Sequence, residues 1–175
     1  AGAPSAAQWV APIAVDERHG LISGKDCPCF GIDTELDLEK VAPGAFRIMN
    51  IDGSRGGTGQ QVLAEWILHG YDGSMPLGWY YSDSGAKFNA HEVKEAMELR
   101  LNEELLFPVY RRVEGEGSNA RYEVVGWIGF LVTGFKGNGN SGKVFGSFTR
   151  YIAQGIQSEK SDQDDFGVRT VALVE

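Results

Sequence analysis

Three short stretches gather side chains able to do chemistry. Asp52-x-Ser54-x-Gly56 lies between an apolar run and a helical pattern. A carboxylate and a hydroxyl two residues apart at a strand end can ligate a divalent cation, so Asp52 and Ser54 are the metal candidates. Gly56 stands where adhesion-type magnesium sites place a second hydroxyl, and a solvated turn is the competing reading. Gly137-Asn138-Gly139-Asn140-Ser141-Gly142-Lys143 matches a Walker A loop as far as its lysine. Val144 then replaces the magnesium-binding hydroxyl, and the residues beyond alternate as a strand instead of opening a helix, so a hairpin loop is expected there. The glycines between Arg55 and Gly59 precede a helix but lack the third glycine of a dinucleotide fingerprint, and they too read as turn chemistry.

Nucleophilic catalysis finds little support. His19, His69 and His91 fall in a loop, at a helix end and in a first helical turn, and none neighbours a nucleophile elbow. His91-Glu92 opens a metalloprotease motif, but Glu95 occupies the place of its second histidine. Cys27 and Cys29 are the only cysteines, flanking Pro28. They read as a disulfide or two thiols, because half a metal site would need two further ligands at zinc spacing. The aromatic triplet Trp79, Tyr80 and Tyr81 lies among Asp, Ser and Gly, and is expected to form a long binding loop.

Composition limits the alternatives. The chain has 175 residues, 42% hydrophobic and 23% charged, with 24 glycines and a formal net charge of −8. That length suits one domain over 9–175 after a small-residue linker or processed start over 1–8. The negative charge disfavours nucleic acid and anionic membrane surfaces, which need a basic face. No apolar run approaches the roughly 18 residues of a membrane span.

The elements expected to position these groups fall in two halves. Trp9 to Val15, interrupted by Pro12, suits an edge strand. Asp16 to Asp26 is expected to be a loop, Cys29 to Ile32 a short strand, and Phe46 to Ile51 a strand. Thr58 would cap a helix running to Gly70, with Val62, Leu63, Trp66 and Ile67 on its apolar side. Asn89 to Leu106 predicts a second helix, with Val93, Ala96, Met97, Leu101 and Leu105 as its stripe and Arg100/Glu104 as an outer pair. Beyond Pro108 the period changes to two. Val109 to Val113, Arg121 to Phe135, Lys143 to Ile152 and Val168 to Val174 read as strands, and the second of these is apolar on both faces and therefore central. The sum is an α+β domain, a mostly antiparallel sheet covered by two main helices with glycine-rich turns.

The succession Pro12-Ile13-Ala14-Val15, Pro43-Gly44-Ala45-Phe46 leading to Ile51-Asp52-Gly53, Trp66 to Tyr71, Phe107-Pro108-Val109-Tyr110 and Val124-Val125-Gly126-Trp127 resembles the C-terminal region of bacterial Flp pilus-assembly proteins of the TadE/TadG-like type. The likeness runs from about Pro12 to about Val174, with Ala45 and Arg47 departing from the family's turn. It implies a non-enzymatic, extracytoplasmic protein, at the cell surface or secreted, whose N-terminal membrane anchor lies outside this chain. It further implies other pilus or cell-envelope proteins as partners, and a homo-oligomer or filament through a free sheet edge such as Lys143 to Ile152. No catalytic residue or cofactor comes with it. A metal- or glycan-binding adhesion module, using Asp52, Ser54 and the Trp79 loop, is the alternative expectation, and a hydrolase the third.

Overall fold

The computed structural model describes residues 9–39, 41, 45, 47–55, 59–83, 90–138 and 141–156. The chain forms a six-stranded mixed sheet and three helices, an α+β fold. In order these are β1 (Val15–Asp16), α1 (Gly20–Ser23), β2 (Thr34–Asp37), α2 (Gln60–His69), β3 (Gly78–Tyr81), α3 (His91–Leu99), β4 (Glu103–Glu114), β5 (Arg121–Asn138) and β6 (Ser141–Ile152). The sheet runs β1-β4-β5-β6-β2, with β3 also on β5. Every pairing is antiparallel except β1 with β4.

β5 is the axis. Its alternation puts Tyr122, Val124, Ile128, Phe130 and Val132 on one side and Trp127 on the other, and all six are buried. The β4–β5 hairpin closes through a 3-10 turn at Gly117–Asn119, and β6 returns with Ser141 opposite Asn138. Gly137 and Asn138 pair with Gly142 and Ser141 in the β5–β6 ladder, and Lys143 pairs with Glu35 at 2.5 Å instead of facing a phosphate. Phe130 stacks near Phe107 at 5.7 Å and meets Phe148 edge-on at 5.1 Å, which ties three strands through aromatic contacts.

The second helix is shorter than its spacing predicts. It stops at Leu99; Asn102 takes a left-handed conformation with φ of 69°, and Glu103 already belongs to β4. Leu105 through Tyr110 are all buried, and the stretch lies between β5 on one edge and the N-terminal segment on the other, ladder partners that a continued helix could not take. Arg100 accordingly pairs with Glu103 at 2.6 Å, while Glu104 is held by Arg150. Pro108 costs no ladder bond. Leu106 turns its carbonyl toward Ala11, so Pro108, two residues on, turns its nitrogen the same way, where the N-terminal segment has left to pair Ile13 with Ile48.

Other expectations need correction. Trp9 to Val15 is no continuous strand: Val10 bridges Leu106 and only Val15–Asp16 pair with β4. Asp16 to Asp26 contains α1, and Cys29 to Ile32 forms no strand. Acidic Thr34–Asp37, in contrast, is a sheet edge beside β6. In the Phe46 to Ile51 stretch Ile48 and Met49 make isolated bridges only. Helix α2 starts at Gln60 with Gly59 as its cap, Thr58 lying outside the described residues with Phe46, Asn89 and Val168 to Val174. β5 runs along one side of β6, and on the other β2 covers 143–146 and Gly31 donates to the Phe148 carbonyl, so the expected edge is narrowed to the end of the strand.

Arg100 joins the helical layer to the sheet. Its Nη1 donates to the carbonyls of Ile67 and Leu68, both at 2.8 Å, at the C-terminus of α2, while its Nε reaches Glu103 at the start of β4. These are charge-assisted bonds to carbonyls a helix end leaves unpaired. Arg100→Met should lower unfolding free energy by about 2 kcal/mol in urea titrations, with partial rescue by Arg100→Lys. An unchanged midpoint would show that water satisfies those carbonyls equally well.

Candidate functional site

Of the residues singled out by type, Asp52, Trp79 and Tyr80 line one hollow of about 280 Å³, and the histidines and cysteines lie apart from it. Asp52 Oδ1 accepts the Ser54 N–H at 2.9 Å and the Ser54 hydroxyl at 2.7 Å, a local Asx turn. Asn50 Nδ2 donates to the Ser54 carbonyl at 3.1 Å and fixes that turn to the core. Among the described residues no three His, Cys, Asp or Glu side chains group as metal ligands. Cys27 and Cys29 form a disulfide around a cis Cys27–Pro28 peptide, with their Cα atoms 4.5 Å apart. His19 caps α1, His69 ends α2 and His91 begins α3.

The aromatic triplet is a strand and not a loop, because β3 pairs Gly78–Tyr81 with residues 121–124 of β5. Tyr80 turns inward and donates its hydroxyl to the Pro76 carbonyl at 2.5 Å. Trp79 has the guanidinium groups of Arg121 and Arg112 at 4.6 and 5.4 Å from its ring centre, and Tyr81 has Arg55 at 5.6 Å. Trp79 and Tyr81 are thus braced by cations, and Trp79 also lines the hollow it shares with Asp52 and Tyr80.

The broad concavities lie instead around the helices. A cleft of about 800 Å³ runs along the C-terminal end of α2, lined by Trp9, Trp66 and Tyr71 with Glu65, His69, Asp72, Arg100 and Glu103. Tyr71 meets Trp66 edge-on at 6.4 Å, and Trp9 packs under Arg150, which Glu104 anchors. A second groove of about 450 Å³ separates α2 from α3 and shares Glu65 and Leu68 with the first. Val62 and Leu99 on this groove remain 44% and 64% exposed. Sequence periodicity assigns Val62 to the buried side of α2 and passes over Leu99. The available signal was an apolar residue lying off the Val93/Ala96/Met97 stripe on an otherwise charged helix.

A third hollow of about 300 Å³ lies beside β1 and β2, lined among others by Asp16, Arg18, His19, Asp37 and Arg47. Burial works against the Asp16 carboxylate, but Arg18, bound to it through Nε at 3.0 Å and Nη2 at 2.9 Å, prevails and holds its pKa below the usual range. Burial pushes the Tyr110 hydroxyl up to about 12, and among the described residues that oxygen meets no hydrogen-bond partner. His19 packs edge-on against Phe148 at 5.2 Å and accepts the Leu21 N–H on Nδ1 at 3.2 Å. Partial burial lowers its pKa, with Asp16 opposing and Arg47 assisting.

No protein-family model, curated protein or solved structure matches the chain. Its function has to be argued from these surfaces.

The His19 environment sets a pH dependence. A histidine whose folded pKa is depressed favours the neutral form, so its contribution to stability is present above the unfolded value of about 6.5 and is lost as pH falls through the folded value. Urea midpoints should begin to drop as pH falls below about 6.5, ahead of the carboxylate losses at lower pH. His19→Asn, which keeps a capping acceptor, should flatten that upper limb. An identical slope in wild type and variant would remove His19 as its source.

Proposed function

We propose that the chain is a non-enzymatic interaction domain of the cell exterior or envelope, docking other proteins on the face formed by α2 and α3. One observation carries this reading: Val62 and Leu99 stay exposed on a groove between two helices whose other apolar residues are buried, as Leu63, Trp66, Ile67, Val93, Ala96 and Met97 are, or half-buried, as Ala64 and Leu68 are. Leaving large apolar side chains in water forgoes roughly 1.5–3 kcal/mol each, and contiguous apolar surface of this kind marks contact sites. The Cys27–Cys29 disulfide supports an oxidising compartment. The tight-adherence pilus setting, with envelope proteins as partners, belongs to this proposal on residue order alone.

A second reading is favoured by the neighbouring cleft. Trp9, Trp66 and Tyr71 beside Glu65 and Glu103 offer rings and carboxylates of the kind that take up saccharides.

Isotope-labelled protein mixed with envelope extract from its source cells distinguishes these. Amide signals of α2 and α3 should broaden with envelope extract and not with cytosolic extract, and Leu99→Asp should abolish the effect. Broadening confined to Trp9, Trp66 and Tyr71, and reproduced by soluble saccharides, would replace docking with glycan binding. Broadening elsewhere, or none, would overturn the docking reading.

A further inference from the structure

The docking reading leaves the partner unspecified, and the groove itself narrows it. Gln61, Ala64, Glu65 and Leu68 follow one another on α2 at i, i+3, i+4 and i+7. Glu92, Glu95, Ala96 and Leu99 repeat that spacing on α3. Residues so spaced form one ridge of a helix, here about 10 Å long. The groove is thus lined by two rows of side chains of equal length, one from each helix. Ala64, half-buried, and Ala96, buried, are the small members of the rows, and neither side chain obstructs a third backbone. Val62, Leu68 and Leu99 supply apolar walls.

The charges around this floor share one sign. The ionised groups lining it are Glu65, Glu92 and Glu95, and among the described residues none of them forms an ion pair. A second copy of the chain docking face to face would set two acidic rims against each other in a protein of net charge −8. An anionic membrane surface would be repelled in the same way. A partner with apolar anchors and basic flanks meets both the floor and the rim.

Resting on the docking reading above, we propose that the α2–α3 groove binds an amphipathic helix of another protein, with large apolar residues at i, i+3 or i+4 and i+7 and Lys or Arg on both flanks. Its anchors fill the space between Val62, Leu68 and Leu99 over the two alanines. Its cations pair with Glu65, Glu92 and Glu95. Helix-in-groove recognition is read through this anchor spacing, and the rim charges contribute orientation and association rate more than affinity.

Two designed peptides of about 15 residues, long enough to hold helix in isolation, test the proposal. They share one apolar stripe and differ in carrying Lys and Arg or Glu and Asp on its flanks. Fluorescence anisotropy gives their affinities, and amide shifts of the full chain give the contact face. The basic peptide should bind saturably at α2 and α3, at least about tenfold more tightly than the acidic one. Leu99→Asp should weaken it about tenfold, and Glu92→Gln with Glu95→Gln about threefold each, the latter effect fading in high salt. Leu99 is exposed enough that its replacement should leave the melting temperature unchanged, a control run alongside. Equal or tighter binding of the acidic peptide at the same amides would overturn the basic partner while leaving the docking face standing. Failure of both peptides to shift α2 and α3 amides would overturn the helical partner, and the extract experiment would then judge the docking face independently.

Discussion

The fold depends on satisfying one long backbone. β5 runs eighteen residues, roughly 60 Å of extended chain, and every polar group along its buried length needs a partner. β4 supplies one flank over residues 121–132. The other flank is divided, with β3 on 121–124 and β6 on 127–138. Register shifts between Val109 and Tyr110, Tyr110 and Val113, Gly129 and Phe130, and Val132 and Gly134 let the ladder twist where a regular one of that length would strain. At Gly146 any side chain would collide with the Leu131 carbonyl, so glycine there is a condition of β6 lying against β5.

That arrangement explains which parts of the fold were legible in the sequence. Tyr122 to Val132 alternate between two apolar faces, and the turns on either side use Gly, Asn and Ser, so both hairpins could be read from local chemistry alone. Leu101 and Leu105 continue the helical spacing of Val93 and Met97, so their transfer to turn and strand depends on β5, a partner that becomes visible only in three dimensions. Trp79 to Tyr81 failed for the same reason: the flanking Ser, Asp and Gly promise a loop, yet residues 121–124 need an antiparallel neighbour. β2 was hidden by its composition. Glu35 and Asp37 are typical of a protected edge and poor evidence for a strand. The candidate site was less legible still, because exposure of Val62 and Leu99 follows from how α2 and α3 lie on the sheet and not from either helix alone.

The arginines bear on the sign of the surface. Arg47 lies over Tyr110, Arg55 over Tyr81, Arg112 and Arg121 over Trp79, and Arg150 over Trp9. Arg100 is committed to the end of α2, and Arg18 and Arg111 to Asp16 and Glu17. Much of the positive charge is thus paired with carboxylates or set over aromatic rings, and Arg18, Arg111 and Arg112 do so at the exposed surface. The formal net charge of −8 is the acidic excess beyond these pairings.

The helical layer shows why an incoming element belongs on this face. Two helices packed on a sheet bury the stripes that face it and each other, but a groove above their line of contact stays open unless long polar side chains close it. Here the closing positions hold Val62, Ala64, Ala96 and Leu99, all apolar and two of them too small to reach across. Glu65, Glu92 and Glu95 also line the opening, and among the described residues none of them forms an ion pair. Solubility alone would favour lysines and longer polar residues at those places. A floor of small residues, apolar walls and a rim of one sign are together what a third, basic helix requires, and the fold supplies all three between α2 and α3.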